Sequence, residues 1–272
     1  MFNYLNVISI FYKKFIYTKK IFLYNSYKSY RLFGNFWGPA IMPKFRHEFK
    51  YFSPEMVLSA IEQRIGALLC LDKNTGESGE YAIRSIYFDD IYDTCFLENE
   101  NGTDPREKFR IRIYNCSKER ITLELKQKIN GMCLKTSCPV PLKTLEQIMA
   151  GQIPDFTAET PYLLKKLISQ MHFRALRPVV IVAYERVPFV YPDGNVRVTF
   201  DRNLRSSSNI EDFFNPQAAF RSVLPVGTNM MEVKFDEFLP DFINEACQTS
   251  LLQWTSFSKF YLCRKFDIHG MA

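Results

Sequence analysis

From Lys44 onward the chain alternates apolar and polar residues in long runs, broken by a few stretches with helical spacing. Period-two alternation marks half-buried strands, and apolar residues three and four apart mark amphipathic helices. RHEFKY at 46–51 reads as the first strand. Ser53, Pro54 and Glu55 then supply a cap, a first-turn proline and a first-turn acid. Val57, Ile61, Ile65, Leu68 and Leu69 give one apolar face, so a helix is expected over 54–69. Strands are expected over 81–89, 108–114, 120–129 and 132–137, the last two joined at Asn130-Gly131. The polar stretch 98–107, containing Asn101-Gly102, reads as a connection between antiparallel strands. Short helices are expected at 142–150, closed by Gly151, and at 161–170. Residues 177–189 and 195–200 read as a hairpin around Pro192-Asp193-Gly194, followed by a strand at 229–235 and a helix at 240–253. The class is α+β, and no internal repeat divides it.

Residues two apart on a strand share a face, and here the polar faces carry charge. Arg46, Glu48 and Lys50 share one face; Arg110 and Arg112 share another, backed by Phe109, Ile111 and Ile113. Thr122, Glu124, Lys126 and Lys128 line a third. Ser85, Tyr87 and Asp89 group together, as do Tyr184 with Arg186, Arg197 with Thr199 and Asp201, and Glu232 with Lys234. A charged face can simply meet water. With helices available to cover the apolar backs, the alternative is a closed antiparallel barrel of about eight strands, a charged tunnel with helices packed outside. Inward bases then ask for a polyanion, and the few inward acids for a divalent cation beside it. Guanidinium forks match phosphate oxygens and lysines act as mobile point charges. Arg110, Arg112, Lys126, Lys135, Arg186 and Arg197 would suit several phosphates in a row. A nucleic acid duplex would not fit such a bore; a nucleotide triphosphate tail or a linear phosphate chain would.

Composition narrows the picture. A chain of 272 residues with 47% hydrophobic and 24% charged residues can bury one sizeable core, expected over 42–272. No run of eighteen apolar residues occurs, which excludes a conventional spanning helix. The whole formal charge of +6 sits in residues 1–41, which hold lysines, one arginine, many aromatics and no acid. Residues 42–272 are balanced, so a global positive field for gripping nucleic acid is not supported. The 1–41 leader reads as a disordered or spurious segment before a translation start at Met42; a membrane-surface helix and a cryptic targeting segment are the other readings. Seven cysteines without a CxxC point to a reducing, cytoplasmic compartment, and three scattered histidines make no metal centre.

RHEFKY at 46–51, IRSIYFDD at 83–90, KFRIRIY at 108–114, LELKQKINGMCLK at 123–135, YERVPF at 184–189, VRVTFDR at 196–202, MEVKF at 231–235 and SFSKF at 256–260 occur in that order. Together they resemble the VTC-type polyphosphate polymerase domain of the triphosphate tunnel metalloenzymes, or CYTH-like proteins, over about residues 42–265. The resemblance implies a closed barrel whose lumen binds ATP, triphosphate or polyphosphate with a manganese or magnesium ion. It further implies transfer of the γ-phosphoryl group of ATP to a growing polyphosphate chain, and a membrane-channel partner that draws product away. By that resemblance Lys50, Arg84, Lys135, Arg186, Arg197, Lys234 and Lys259 are phosphate-binding residues. Arg110, Arg112, Lys126 and Glu232 are the catalytic ones, and Glu232 with Glu48 and Glu124 supplies metal carboxylates. One departure stands out. Arg46 occupies the first glutamate position of the ExExK pattern common in the superfamily, leaving Glu48 and Lys50. An inorganic triphosphatase and a non-catalytic polyphosphate or nucleotide sensor remain alternatives. Blander roles compete for single residues: Glu232 paired with Lys234, Glu124 in a cross-strand pair, Asp89 and Asp90 as turn caps, and Tyr87 and Tyr184 as props for inward arginines.

Overall fold

The computed structural model describes residues 45–269 apart from Ser250, Leu251 and Ser256. The 1–41 leader and the expected start at Met42 lie outside the described residues. Strands follow in the order β1 (His47–Pro54), β2 (Cys70–Leu71), β3 (Tyr81–Asp89), β4 (Arg106–Tyr114), β5 (Thr122–Ile129), β6 (Met132–Pro139), β7 (Arg177–Tyr191), β8 (Val196–Ser207), β9 (Arg221–Ser222), β10 (Thr228–Phe235) and β11 (Gln253–Trp254). Helices are α1 (Glu55–Leu68), α2 (Thr94–Glu100), α3 (Leu142–Met149), α4 (Tyr162–Arg174), α5 (Asp241–Cys247) and α6 (Lys259–His269).

The strands form one antiparallel sheet in the order β11-β1-β10-β8-β7-β3-β4-β5-β6. The expected closed barrel is not formed. The sheet turns through 211° and leaves its edges 6 Å apart, an open half-barrel of eight long strands. Across the gap the edges are joined, among the described residues, by one backbone bridge between Arg46, just before β1, and Cys133 of β6, which exchange hydrogen bonds of 3.0 and 3.1 Å. The reason lies at the edges: β11 pairs with β1 at Tyr51 and Phe52, on the side that closure would need. Polar Lys135, Thr136 and Ser137 keep the β6 edge in water.

Apolar residues of the strands pack outward, as the alternation predicts. Ile86, Phe88, Phe109, Ile111, Leu123 and Leu125 are covered by α3, α4 and Phe213. Phe189, Val198, Phe200, Met231 and Val233 are covered by α1 and α5. Burying that convex face stabilises at roughly 25 cal/mol per Å² of apolar surface removed from water, and it leaves the charged residues on the concave face. One end of the concave face carries an apolar floor: Tyr87, Val180, Val182, Tyr184 and Met230 meet Phe96 of α2 and Phe260 and Cys263 of α6.

Several local expectations shift. Ser53 does not cap α1; it is the buried penultimate residue of β1, and Pro54 precedes the helix without a side-chain cap. Residues 98–100, expected within the connection, are the last turn of α2. The helix expected over 240–253 ends at Cys247, and Gln253–Trp254 is a strand. Asn130 and Gly131, at φ 53° and 78°, form the tight β5–β6 turn, and Asp104 accepts from both amides at 2.9 and 2.8 Å. Among the described residues no helix is long and apolar enough to cross a membrane.

Candidate functional site

Strand register assembles the site. It sets Lys50 opposite Glu232 and Glu48 opposite Lys234 between β1 and β10, and Lys234 opposite Arg197 between β10 and β8. It sets Arg110 opposite Glu124 between β4 and β5, and Lys126 opposite Lys135 between β5 and β6. Helix α6 adds Lys259 from above. The concave face is therefore a trough lined by side chains that lie far apart in sequence.

Three carboxylate-centred groups order these charges. Glu124 is held by Arg110 at 2.5 Å, Lys135 at 3.1 Å and Arg112 at 3.7 Å. Glu232 takes Lys234 and Lys259, each at 2.6 Å, with Arg186 at 3.5 Å. Asp201 joins this second group, accepting from Arg186 through two bonds of 2.6 and 2.7 Å and pairing with Lys259 at 2.6 Å. Glu48 pairs with Lys126 at 2.5 Å and lies 3.8 Å from Lys50. Arg197 binds Asp72 at 2.7 Å and donates to the Tyr81 hydroxyl at 2.9 Å. Tyr87 accepts from Arg110 at 2.8 Å, and Tyr184 accepts from Arg112 at 3.3 Å, so both tyrosines prop inward arginines.

The electrostatics follow from burial. Burial pushes the carboxyls of Glu124 and Glu48 up, but Arg110, Arg112 and Lys135 around the first, and Lys126, Lys234 and Lys50 around the second, hold both well below the usual carboxylate range. Burial likewise opposes ionisation of Glu232, and Lys234, Lys259 and Arg186 outweigh it. Burial lowers the Lys234 ammonium to about 8 even beside Glu232, whereas the attraction of Asp201 and Glu232 outweighs burial at Lys259 and raises it. The carboxylates are thus anions that keep the bases charged and aimed. The bases outnumber them, and access is from the open side, where the Lys135, Lys126 and Arg197 side chains are 54%, 32% and 31% exposed.

Of the residues singled out in the sequence, Lys50, Arg110, Arg112, Lys126, Lys135, Arg186, Arg197, Lys234, Lys259, Glu48, Glu124 and Glu232 come together on the concave face. Arg84 does not. It sits on the convex side with Ile86 and Phe88, where one guanidinium nitrogen donates to the carbonyls of Asp212, Phe213 and Asn215 at 2.9, 3.2 and 2.7 Å and the group stacks on Phe220. Asp89 and Asp90 are caps: Asp89 accepts from the amides of Cys95 and Phe96, and Asp90 accepts from Thr94 and pairs with Arg174. His47 stacks on Phe235, away from the charges. Sequence reasoning gave no role to Asp72, which pairs with Arg197, or to Lys108, which the register sets opposite Lys126. Asp201 had been placed on the face of Arg197 by parity without being given a role.

The three glutamates proposed as metal ligands do not fit that task together. Glu124 and Glu48 belong to separate ion-pair groups, and both oxygens of Glu232 are within 2.6 Å of an ammonium. Among the described residues no three His, Cys, Asp or Glu side chains converge on a common point suited to a metal ion.

Together with a match to the VTC domain model, the curled antiparallel sheet with helices outside puts the chain in the triphosphate tunnel metalloenzyme, or CYTH-like, superfamily, whose enzymes act on nucleotide and polyphosphate triphosphates and are typically metal-dependent. Within it the chain belongs to the VTC domain family, which matches residues 45–266. Similar solved structures include HpAC1 from Hippeastrum, described as a candidate adenylyl cyclase with a dominant triphosphatase activity. It is 10% identical, with 81% of this chain and 95% of that chain covered and a TM-score of 0.50. A candidate adenylate cyclase from Bacillus halodurans is 14% identical over 74% of this chain and 86% of that one, with a TM-score of 0.41. No curated protein sequence matches the chain.

Proposed function

We propose that the trough binds a linear triphosphate or polyphosphate and serves cleavage of a terminal phosphoanhydride bond. The observation that carries this is the convergence of Arg110, Arg112, Lys126, Lys135, Arg186 and Lys259 around too few carboxylates to neutralise them. An unpaired excess of buried cations is costly unless an anion completes it. Phosphoryl transfer depends mainly on positioning and on charge spread over the equatorial oxygens. Arginines on β4 and β7 match those oxygens with fixed forks, while lysines from β1, β5, β6 and α6 rotate from carboxylate to phosphate. Tyr87 and Tyr184 keep Arg110 and Arg112 from folding back onto the sheet.

Two acceptors are compatible with this geometry. Water as acceptor gives hydrolysis of tripolyphosphate, a reading supported by the fold shared with HpAC1. A terminal phosphate as acceptor gives chain growth from ATP with release of ADP. That reading is supported by the VTC match and by the depressed carboxyls, which are poor bases for activating water but are not needed when the acceptor is already ionised. Incubation of the purified protein with tripolyphosphate, and separately with ATP and a short primer, separates the two. Orthophosphate without longer chains identifies the hydrolase; lengthening chains with ADP identify the polymerase. Binding without turnover of either substrate contradicts both catalytic readings.

A further inference from the structure

We infer that Lys108 is an additional anion-binding residue, forming with Lys50 and Lys126 a subsite for the far phosphate of a linear phosphate chain at the end of the trough capped by α6. This rests on the trough reading above and extends it to a residue that opens the KFRIRIY block but was given no role there. Lys108 stands two residues before Arg110 on β4, so it shares the inward face, and the register sets it opposite Lys126. Its ammonium donates to Asn99 of α2 at 2.6 Å and lies 3.4 Å from the Ser258 hydroxyl and 5.1 Å over the Phe260 ring. Lys50 donates to the carbonyl of the adjoining Phe257 at 2.9 Å. The two ammonium groups therefore flank one turn, that leading into α6.

Charge balance separates this end from the rest of the trough. Arg110, Arg186 and Lys259 each touch a carboxylate within 2.6 Å. Among the described residues no carboxylate pairs with Lys108, and the single Glu48 serves both Lys126 and Lys50. Glu232, opposite Lys50, is taken up by Lys234 and Lys259, so the three ammonium groups at this end exceed the acid left to them. The groups facing Lys108 are Arg106 on its own strand, Lys126 on β5, Lys50 on β1, and Cys95 and Glu98 on α2. On β3, Asp89 is taken up by the amides of α2, and the α6 turn presents the neutral Ser258 and Phe260. Burial, reinforced by Arg106, lowers the ammonium of Lys108 to about 7. An arriving phosphate oxyanion favours the charged form, so binding draws a proton onto the protein.

The test is calorimetric titration with tripolyphosphate and with a longer linear polyphosphate, in buffers of different ionisation enthalpy, at about pH 6.5 and about pH 8. For wild type the longer chain is expected to bind with proton uptake that is larger at the higher pH. Lys108→Met should lose most of that uptake and bind the longer chain about tenfold more weakly at the lower pH, with a smaller loss for tripolyphosphate. Lys108→Arg, which keeps its proton throughout, should retain affinity while losing the same uptake; it serves as the test if the methionine variant does not fold. Wild type and Lys108→Met with equal affinity and equal uptake would overturn the subsite. Failure of wild type to bind either chain would overturn the trough reading itself.

Discussion

Glu124 lies 3% exposed beneath Arg110, Arg112 and Lys135, and it shows how one side chain can serve both fold and site. Truncating Arg110 leaves a buried carboxylate short of its nearest partner, a change that costs about 3 kcal/mol for buried pairs. Arg110→Ala should therefore lower the thermal unfolding midpoint and weaken tripolyphosphate binding together. Arg84→Ala makes the contrast: losing its bonds to three carbonyls should destabilise the fold by about 1–3 kcal/mol in denaturant titration, with tripolyphosphate affinity unchanged. Strand parity already separates these two arginines, because Arg84 alternates with Ser85 and Tyr87 and belongs to the opposite face; only the resemblance drew it into the site. Parity equally placed Asp201 beside Arg197, and its bonds to Arg186 and Lys259 complete a reading that the sequence had half made. Parity puts Lys108 on the face of Arg110, but its contacts with Asn99 and Ser258 were not legible, since these reach it from elements distant in the chain.

Strands were legible and helices on the concave side were not. The convex helices α1, α3 and α4 cover apolar strand residues and show spaced apolar positions of their own. By contrast α2 is only seven residues long, starts without a side-chain cap from Asp93, and owes its place to Asp89 binding its first amides. Helix α6 mixes Lys259, Arg264 and Lys265 with Phe260 and Cys263, a pattern whose meaning comes from the trough it spans. Closure is not legible for a related reason, because alternation fixes which face a residue takes but not whether the two edge strands find each other. The open edges predict a gradient in native-state hydrogen exchange. Amides of β7, which pairs with β3 and β8 along most of its length, should exchange slowest, and the outer amides of β6 fastest among the long strands. Equal protection in β6 and β7 would argue for a closed ring.

Across the molecule, balanced charge over residues 42–272 conceals a local imbalance: bases gather in the concavity in excess over Glu48, Glu124, Asp201 and Glu232. The paired carboxylates also set the acid stability. Glu48, Glu124, Asp201 and Glu232 all ionise more readily in the folded state, so their contribution is present above the unfolded values of about 3.9 to 4.3 and is lost as pH falls toward the folded ones. Buried Asp89 is shifted the other way and offsets part of this. Denaturant titrations should show stability holding down to about pH 4.5 and falling steeply below it. The most direct test of the account is calorimetric titration of tripolyphosphate into wild type, Arg110→Ala and Arg84→Ala at low ionic strength. Saturable binding by wild type, weakened about tenfold or more by Arg110→Ala and untouched by Arg84→Ala, is the predicted result. No binding, or equal losses in the two variants, would contradict it.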